Sequence, residues 1–306
     1  MGEIKIDGAT LVYGVGTSKR DAKQYVSIVR GSDVQGHIKI PAEIEGLPVK
    51  CIEGLSFSGC KGLTGVTIPD GVVWIGESAF TAAPNLNYVK IPTSVRGIGA
   101  CAFSCCGGLW SVEIPEGVTW VGFSAFVMCY SLVRVTIPST LESISRWAFA
   151  DCCRLSSVRI SSGVRNIEDE AFSRCIGLNG ITLPLGVTSI GQKAFSGCRA
   201  LERVMIPDSV TSIGKYAFSG CGNLKAISCP RHFENKSLES AFAFCSPRMK
   251  ITYRDGVGVV GQSELGLEGC AQGTGGGRDD ADGAKVEAED VGVGSVRFDW
   301  WHRIDV

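Results

Sequence analysis

A strict period organises this chain. From Ile68 to Pro230 the pattern returns every 23 residues without insertion or deletion. It restarts at Ile68-Pro69, Ile91-Pro92, Ile114-Pro115, Ile137-Pro138, Ile160-Ser161, Leu183-Pro184, Ile206-Pro207 and Cys229-Pro230. Such a period marks a solenoid: one unit cannot bury its own apolar face, whereas stacked units can. Each unit contains Leu-x-x-Val-x-Ile, whose last two apolar positions stand two residues apart, at strand spacing. Proline follows and ends the strand, because it has no N–H to give to a ladder. In the unit from Leu201, Val210 and Ile213 mark a second short extended piece and Gly214 a bend. Ala217, Phe218 and Cys221 are then spaced like one helical or 3₁₀ turn.

The columns are as regular as the period. Phe57, Phe80, Phe103, Phe126, Phe149, Phe172, Phe195 and Phe218 form one, and alanines from Ala79 to Ala217 form the next. Coils one strand spacing apart, about 4.8 Å, bring such rings to offset stacking distance and leave room for only a small side chain beside them. The units resemble the BspA-like class of leucine-rich repeats. The likeness rests on Ile-Pro-x-x-Val-x-x-Ile-Gly-x-x-Ala-Phe-x-x-Cys-x-x-Leu-x-x-Val and spans roughly residues 33–253, about seven-tenths of the chain. The resemblance implies a right-handed leucine-rich-repeat solenoid of short parallel strands with short helical or 3₁₀ turns. It also implies a non-enzymatic binding module, since members of the class are often surface or secreted adhesins for host or matrix proteins. Fold does not fix function, so the partner has to be argued from side chains.

Composition excludes more than it assigns. The 306 residues carry a formal net charge of −1 and are 44% hydrophobic. Phosphate binding needs a basic stripe, so nucleic acid is not the expected partner. No apolar run reaches the roughly 18–20 residues of a membrane span. Met1–Gly8 lacks the basic and apolar regions of a signal peptide, although the resemblance points to the cell surface or secretion. Fourteen cysteines would ordinarily suggest disulfides. Yet Cys60, Cys106, Cys129, Cys152, Cys175, Cys198, Cys221 and Cys245 recur three residues after the ladder phenylalanine or its equivalent, and Ala83 takes one such place. A position that accepts Cys or Ala is a small buried filler, which predicts reduced thiols. With no Cys-x-x-Cys pair, zinc is not expected, nor is any cofactor.

Outside the regular units, residues 1–32 hold strand-like pieces at Glu3–Ile6, Ala9–Tyr13 and Tyr25–Val29, read as an N-terminal cap over the open end of the stack. The solenoid proper is expected over 33–253. Its first coil is five residues longer than the rest, with the excess in Pro41–Pro48. Its last, 230–253, is irregular through His232–Ser237 and closes with a strand at Met249–Tyr253. Residues 254–306, Gly-rich and acidic, read as a flexible linker and tail. Gly256–Gly261 spells GxGxxG, but no helical period follows, so a glycine-rich linker is the better reading. The Asp280, Asp282, Gly283 and Glu289 spacing imitates a calcium loop, but Arg278 stands at its first ligand position. Asn235-Lys236-Ser237 is a glycosylation sequon, which matters only on a secretory route.

Function has to come from positions the repeat does not dictate. In each strand the residues flanking the valine point out of the expected concave sheet. They include Tyr88 and Lys90, Arg134 and Thr136, Ser157 and Arg159, and Arg203 and Met205. Small residues alternate with Lys and Arg, a mildly basic surface suited to an acidic or extended protein partner. A second set is aromatic. Trp74 and Trp120 share a column two coils apart with Gly97 between, while Trp110, Phe123, Tyr130 and Trp147 interrupt neighbouring columns. Exposed Trp and Tyr dominate hot spots, and they also stack on sugars, so a glycan is an admissible ligand. The partner-binding candidates are Tyr88, Lys90, Arg134, Arg159, Arg203, Trp74 and Trp120. His37, His232 and His302 are not placed by the repeat beside a nucleophile, so no catalytic residue is expected. Two functions stay open: an adhesin-like protein-binding module, or a structural or intracellular scaffold with no tight ligand of its own.

Overall fold

The repeats wind into parallel coils in a computed structural model that describes residues 1–234, 238–255 and 259–261. All of these belong to one unit, Met1–Gly266; the second unit, Leu267–Val306, lies outside the described residues. So do the sequon, the calcium-like spacing and His302.

Each Leu-x-x-Val-x-Ile segment supplies one strand of a first parallel ladder. Its strands include Gly36–Lys39, Leu63–Thr67, Tyr88–Lys90, Ser111–Glu113, Arg134–Ile137 and Ser157–Ile160, then Arg203–Met205, Ala226–Pro230 and Lys250–Asp255. The register advances by one repeat per coil: Val112 pairs with Val135, and Val135 with Val158. The pairing is interrupted twice, between Tyr88–Lys90 and Ser111–Glu113, and at the coil of Gly180, which makes only an isolated bridge to Arg203. Glycine has no side chain to pack on a sheet and weakens a strand there. The Ile-Gly segments supply a second ladder of two-residue strands in two stretches, Trp74–Ile75, Gly97–Ile98 and Trp120–Val121, then Ser143–Ile144 to Ser212–Ile213. Here Ile75 pairs with Ile98, and Ile98 with Val121.

The third side of the coil differs from the expected helical or 3₁₀ turn. Among the described residues the one 3₁₀ helix is Arg231–Phe233, outside the regular repeats. The residue two before each ladder phenylalanine is left-handed, with φ between 53° and 61° from Leu55 and Ser78 to Tyr216. So is the residue two after it, as at Ala82, Cys105, Met128, Asp151 and Arg174. The alternation turns every second N–H along the stack. Ser78, Phe80 and Ala82 donate to the carbonyls of Ala100, Ala102 and Ser104 in the next coil, at 2.7–2.8 Å. A helix would keep those bonds within its own turn, so the array gains a third inter-coil ladder and accepts left-handed residues at about 1–2 kcal/mol each.

The core is the set of columns. Nine phenylalanines stack from Phe57 to Phe242, with centroid spacings between 5.1 and 5.5 Å. Beside them run the thiols. Cys106, Cys129, Cys152, Cys175, Cys198 and Cys221 are fully buried, and each donates to the carbonyl of the phenylalanine one coil back, at 3.1–3.2 Å. All thirteen cysteines among the described residues are free thiols. The column is therefore more than filler: a reduced S–H satisfies a backbone carbonyl that alanine, as at Ala83, leaves without that bond.

At the N-terminus Gly2–Ile6, Ala9–Thr17 and Gln24–Ser32 form antiparallel strands, and the last of these joins the parallel stack at Leu47–Ile52. The five extra residues of the first coil make a small hairpin, with Glu43–Ile44 paired to Leu47–Pro48 around the left-handed Glu45 and Gly46. At the other end the closing strand runs past Tyr253 to Asp255, and Val259–Gly261 turns back antiparallel to it. The last three residues of the GxGxxG stretch, Val259–Gly261, thus form a strand.

Candidate functional site

The first ladder presents the expected side chains to solvent. Tyr88, Lys90, Arg134, Arg159 and Arg203 are all exposed. Arg134 stands in register with Ser111 and Ser157, and Arg159 with Thr136 one coil on. Arg203 lies three coils beyond Arg134 in the same column, which at about 4.8 Å per coil is about 14 Å. None of these three arginines has an ion-pair partner among the described residues. The positions flanking the central valine or isoleucine also carry Lys39, Lys90 and Lys250 against the acid Glu113, and the Arg254–Asp208 pair adds one charge of each sign beside them. A chain of net charge −1 therefore concentrates six basic side chains on one sheet face.

Near its N-terminal end this face carries rings. His37 lies across Gly65 to meet Tyr88 at 5.6 Å, and its Nε2 bonds the Thr67 hydroxyl at 2.9 Å. His232 instead bonds the carbonyl of Val210 at 2.8 Å. At the C-terminal end of the face, where strand pairing is interrupted at Gly180, a mainly apolar groove of about 610 Å³ opens. Leu185, Arg203, Met205, Asp208 and Arg254 are among its walls. Leu185 is 85% exposed and Met205 59% exposed. Arg254 pairs with Asp208 and donates to the carbonyl of Ile206, while its buried Nε makes no hydrogen bond. Sequence reasoning did not find this groove; its signal was Leu185, an apolar residue directly after Pro184.

The tryptophans do come together, but on the second ladder. Trp74 and Trp120 stack at 5.5 Å, inclined by 14°. Gly97 makes this possible: a Cβ there would lie 2.1 Å from the Trp74 ring. The arginine set and the tryptophan pair thus occupy different sheets. Of the other aromatics, Trp110, Phe123 and Tyr130 are half exposed, and Trp147 lies under the Arg146 guanidinium, 4.0 Å from its centre.

Burial raises the thiols of Cys106 and Cys198 to about 12, whereas Cys245, at the end of the same column, is held below its ordinary range by a hydrogen bond with the Cys221 thiol. A protonated thiol is a poor nucleophile, and the buried thiols fill the column and bond the carbonyls of the preceding coil.

The geometry is that of a stack of near-identical coils, and the comparisons agree. The profile of the BspA type leucine rich repeat region matches residues 50–179 and 146–265, in 6 copies. The chain belongs to the BspA-type leucine-rich repeat family. Among solved structures it is similar to a leucine-rich repeat protein from Bacteroides ovatus ATCC 8483, at 27% identity and a TM-score of 0.54, over 79% of this chain and 69% of that one. It is also similar to a leucine rich repeat protein from T. pallidum, at 26% identity and a TM-score of 0.53, over 76% and 96%. Among proteins with curated descriptions none matches. In this BspA-type array no helix of the described residues is long and apolar enough to cross a membrane.

Proposed function

We propose that this BspA-type protein is an adhesin-like binding module that holds a protein partner against its first ladder. The observation that carries this reading is the charge of that face: six basic side chains to one acidic at the flanking positions, with Arg134, Arg159 and Arg203 unpaired by the described residues. Guanidinium groups about one to three coils apart suit carboxylates spaced along an extended segment, because each presents a planar fork of donors. The groove beside Arg203 adds apolar contact at one end of the same face, where Leu185 and Met205 stand exposed. Buried apolar anchors with a charged surround are the usual division of labour in an interface.

The test is a selection from displayed random peptides on the parent chain, repeated on Arg134→Ser/Arg159→Ser/Arg203→Ser. The expected result is enrichment of Asp- and Glu-containing sequences by the parent and a loss of about tenfold in affinity on the variant, the sum of several exposed pairs. Enriched peptides without acidic excess, or equal binding to both chains, would leave the face without this role and favour a scaffold with no tight ligand.

A further inference from the structure

The thiol column ends differently from how it runs. From Cys106 to Cys221 the sulfurs are fully buried, each with a coil on either side. Cys245 belongs to the closing coil and is partly exposed. That coil comes one residue late: Cys221 and Cys245 stand 24 positions apart, where every earlier step of the column is 23. The coil is nevertheless joined to the stack, for the N–H groups of Tyr216, Phe218 and Gly220 donate to the carbonyls of Ser240, Ala241 and Ala243 at 2.8–2.9 Å.

Cys221 and Cys245 are therefore neighbours along the stack, one strand spacing of about 4.8 Å apart. A disulfide spans about 4.4–6.8 Å between α-carbons, so the backbones already suit one, but the β-carbons have to close to about 3.8 Å. A coil inside the array cannot make a shift of about 1 Å without straining its bonds to both neighbours, whereas a coil at the end can. The Cys245 thiol donates to the Phe218 carbonyl at 3.0 Å. Its hydrogen bond with the Cys221 thiol holds Cys245 below its ordinary range and raises Cys221 in turn. Oxidant-sensitive thiols are accessible, rich in thiolate and placed next to a second, resolving cysteine. Cys245 has all three properties; the enclosed, protonated thiols from Cys106 to Cys198 have only the neighbour.

We propose that Cys245 and Cys221 form a hydroperoxide-reactive pair that closes into a disulfide and fastens the closing coil to the stack. The Cys245 thiolate attacks the terminal peroxide oxygen: an S–O bond forms, the O–O bond breaks, and the leaving alkoxide or hydroxide takes up a proton from water. The Cys221 sulfur then attacks the sulfur of the Cys245 sulfenic acid. The S–S bond forms, the S–O bond breaks, and the departing hydroxide leaves as water with the Cys221 proton. The two thiols give up two electrons in all, and one peroxide is reduced to an alcohol or water. The pair lies in the core column, not on the basic face of the first ladder, and stands or falls independently of that face.

The test treats the full reduced chain with one equivalent of hydrogen peroxide, blocks the remaining thiols and maps the peptides by mass spectrometry. The expected result is the loss of two hydrogens per chain and one linked pair of peptides, carrying Cys221 and Cys245. Alanine is accepted in this column, since Ala83 is as buried as the thiols, so Cys221→Ala and Cys245→Ala keep the fold. In Cys221→Ala the oxidation of Cys245 should stop at the sulfenic acid, which dimedone captures. In Cys245→Ala the loss of hydrogens should disappear. Hydrogen exchange at the Tyr216, Phe218 and Gly220 amides should slow in the oxidised parent and recover with dithiothreitol. No loss of hydrogens, a bridge between any other two cysteines, the same loss in Cys245→Ala, or exchange unchanged by the bridge would overturn the proposal.

Discussion

Phe149→Ala removes the middle of the ring column. Phe149 is 1% exposed and sits between Phe126 at 5.4 Å and Phe172 at 5.5 Å. The backbone on either side is pinned, since Phe126 N–H bonds the Ala148 carbonyl and Phe149 N–H the Ala171 carbonyl, both at 2.9 Å. The coils therefore cannot close over the vacancy. A void of about 100 Å³ that does not relax, at about 24 cal/mol per Å³, adds about 2.4 kcal/mol to a transfer term of about 2 kcal/mol. The expected loss is about 4 kcal/mol, within the range of about 3–5 kcal/mol for buried rings. Phe242→Ala is the comparison. Its ring meets Phe218 at 5.5 Å and 20°, at the end of the described column, and its coil is the irregular one. About 3 kcal/mol or less is expected there, because an end coil has more freedom to collapse. Urea unfolding followed by circular dichroism measures both midpoints. A loss below about 1 kcal/mol for Phe149→Ala, or an equal loss at Phe242, would refute the argument that inter-coil bonds hold the cavity open.

Buried thiols in the column and in the strand Ala226–Pro230 predict alkaline sensitivity. Cys106, Cys198 and Cys229 are raised to about 12 from 9.0, mainly by burial, so the unfolded chain releases these protons near pH 9 while the folded chain keeps them. Stability should be level below pH 8 and fall above pH 9, by about 1 kcal/mol per pH unit for each thiol, and a midpoint insensitive to pH up to 10 would contradict it. Among the described residues, native alkylation should spare the fully buried thiols and modify the partly exposed Cys245 early, because its thiol is lowered by the Cys221 hydrogen bond, as mass spectrometry of timed samples would show. Gly97→Ala should destabilise by about 1–3 kcal/mol by driving a methyl group into the Trp74 ring. Trp74→Ala should relieve most of that loss in the double variant, and additive losses would mean that the ring is not what requires glycine.

Much of this fold is readable from the chain because the signal is repeated. A single Val-x-Ile is ambiguous, but eight ladder phenylalanines at one spacing leave a single way to stack. The reduced thiols follow from the same logic, since Ala83 shows that the position is small. What the thiols do was not readable: their bond to the preceding coil's carbonyl depends on where Phe80 or Phe103 places that oxygen. The third side was misread for a related reason. Ser78, Trp147, Glu170 and Lys193 carry no composition cue for left-handed backbone, which here is imposed by hydrogen bonds between coils rather than by local propensity. For the candidate sites, alternation along the strand gave the outward positions of Arg134, Arg159 and Arg203. The shared column of Trp74 and Trp120 was legible as well, but not that the two rings stack across Gly97. The column of Gly76, Gly99 and Gly122 is broken by Ser145 and Glu168, a departure visible in the sequence only against the repeat.

The central functional claim is that a basic strand face binds a protein partner. Its most direct test is the salt dependence of affinity for one acidic peptide selected on the parent chain, measured on the parent, on the triple arginine-to-serine variant, and on Trp74→Ser/Trp120→Ser. Exposed charges are screened over about 10 Å at 0.1 M salt, so parent affinity should fall steadily as salt is raised. The account predicts a flattened slope and weaker binding for the arginine variant, and the parent slope for the tryptophan variant. A parent and an arginine variant with the same slope and the same affinity would contradict it.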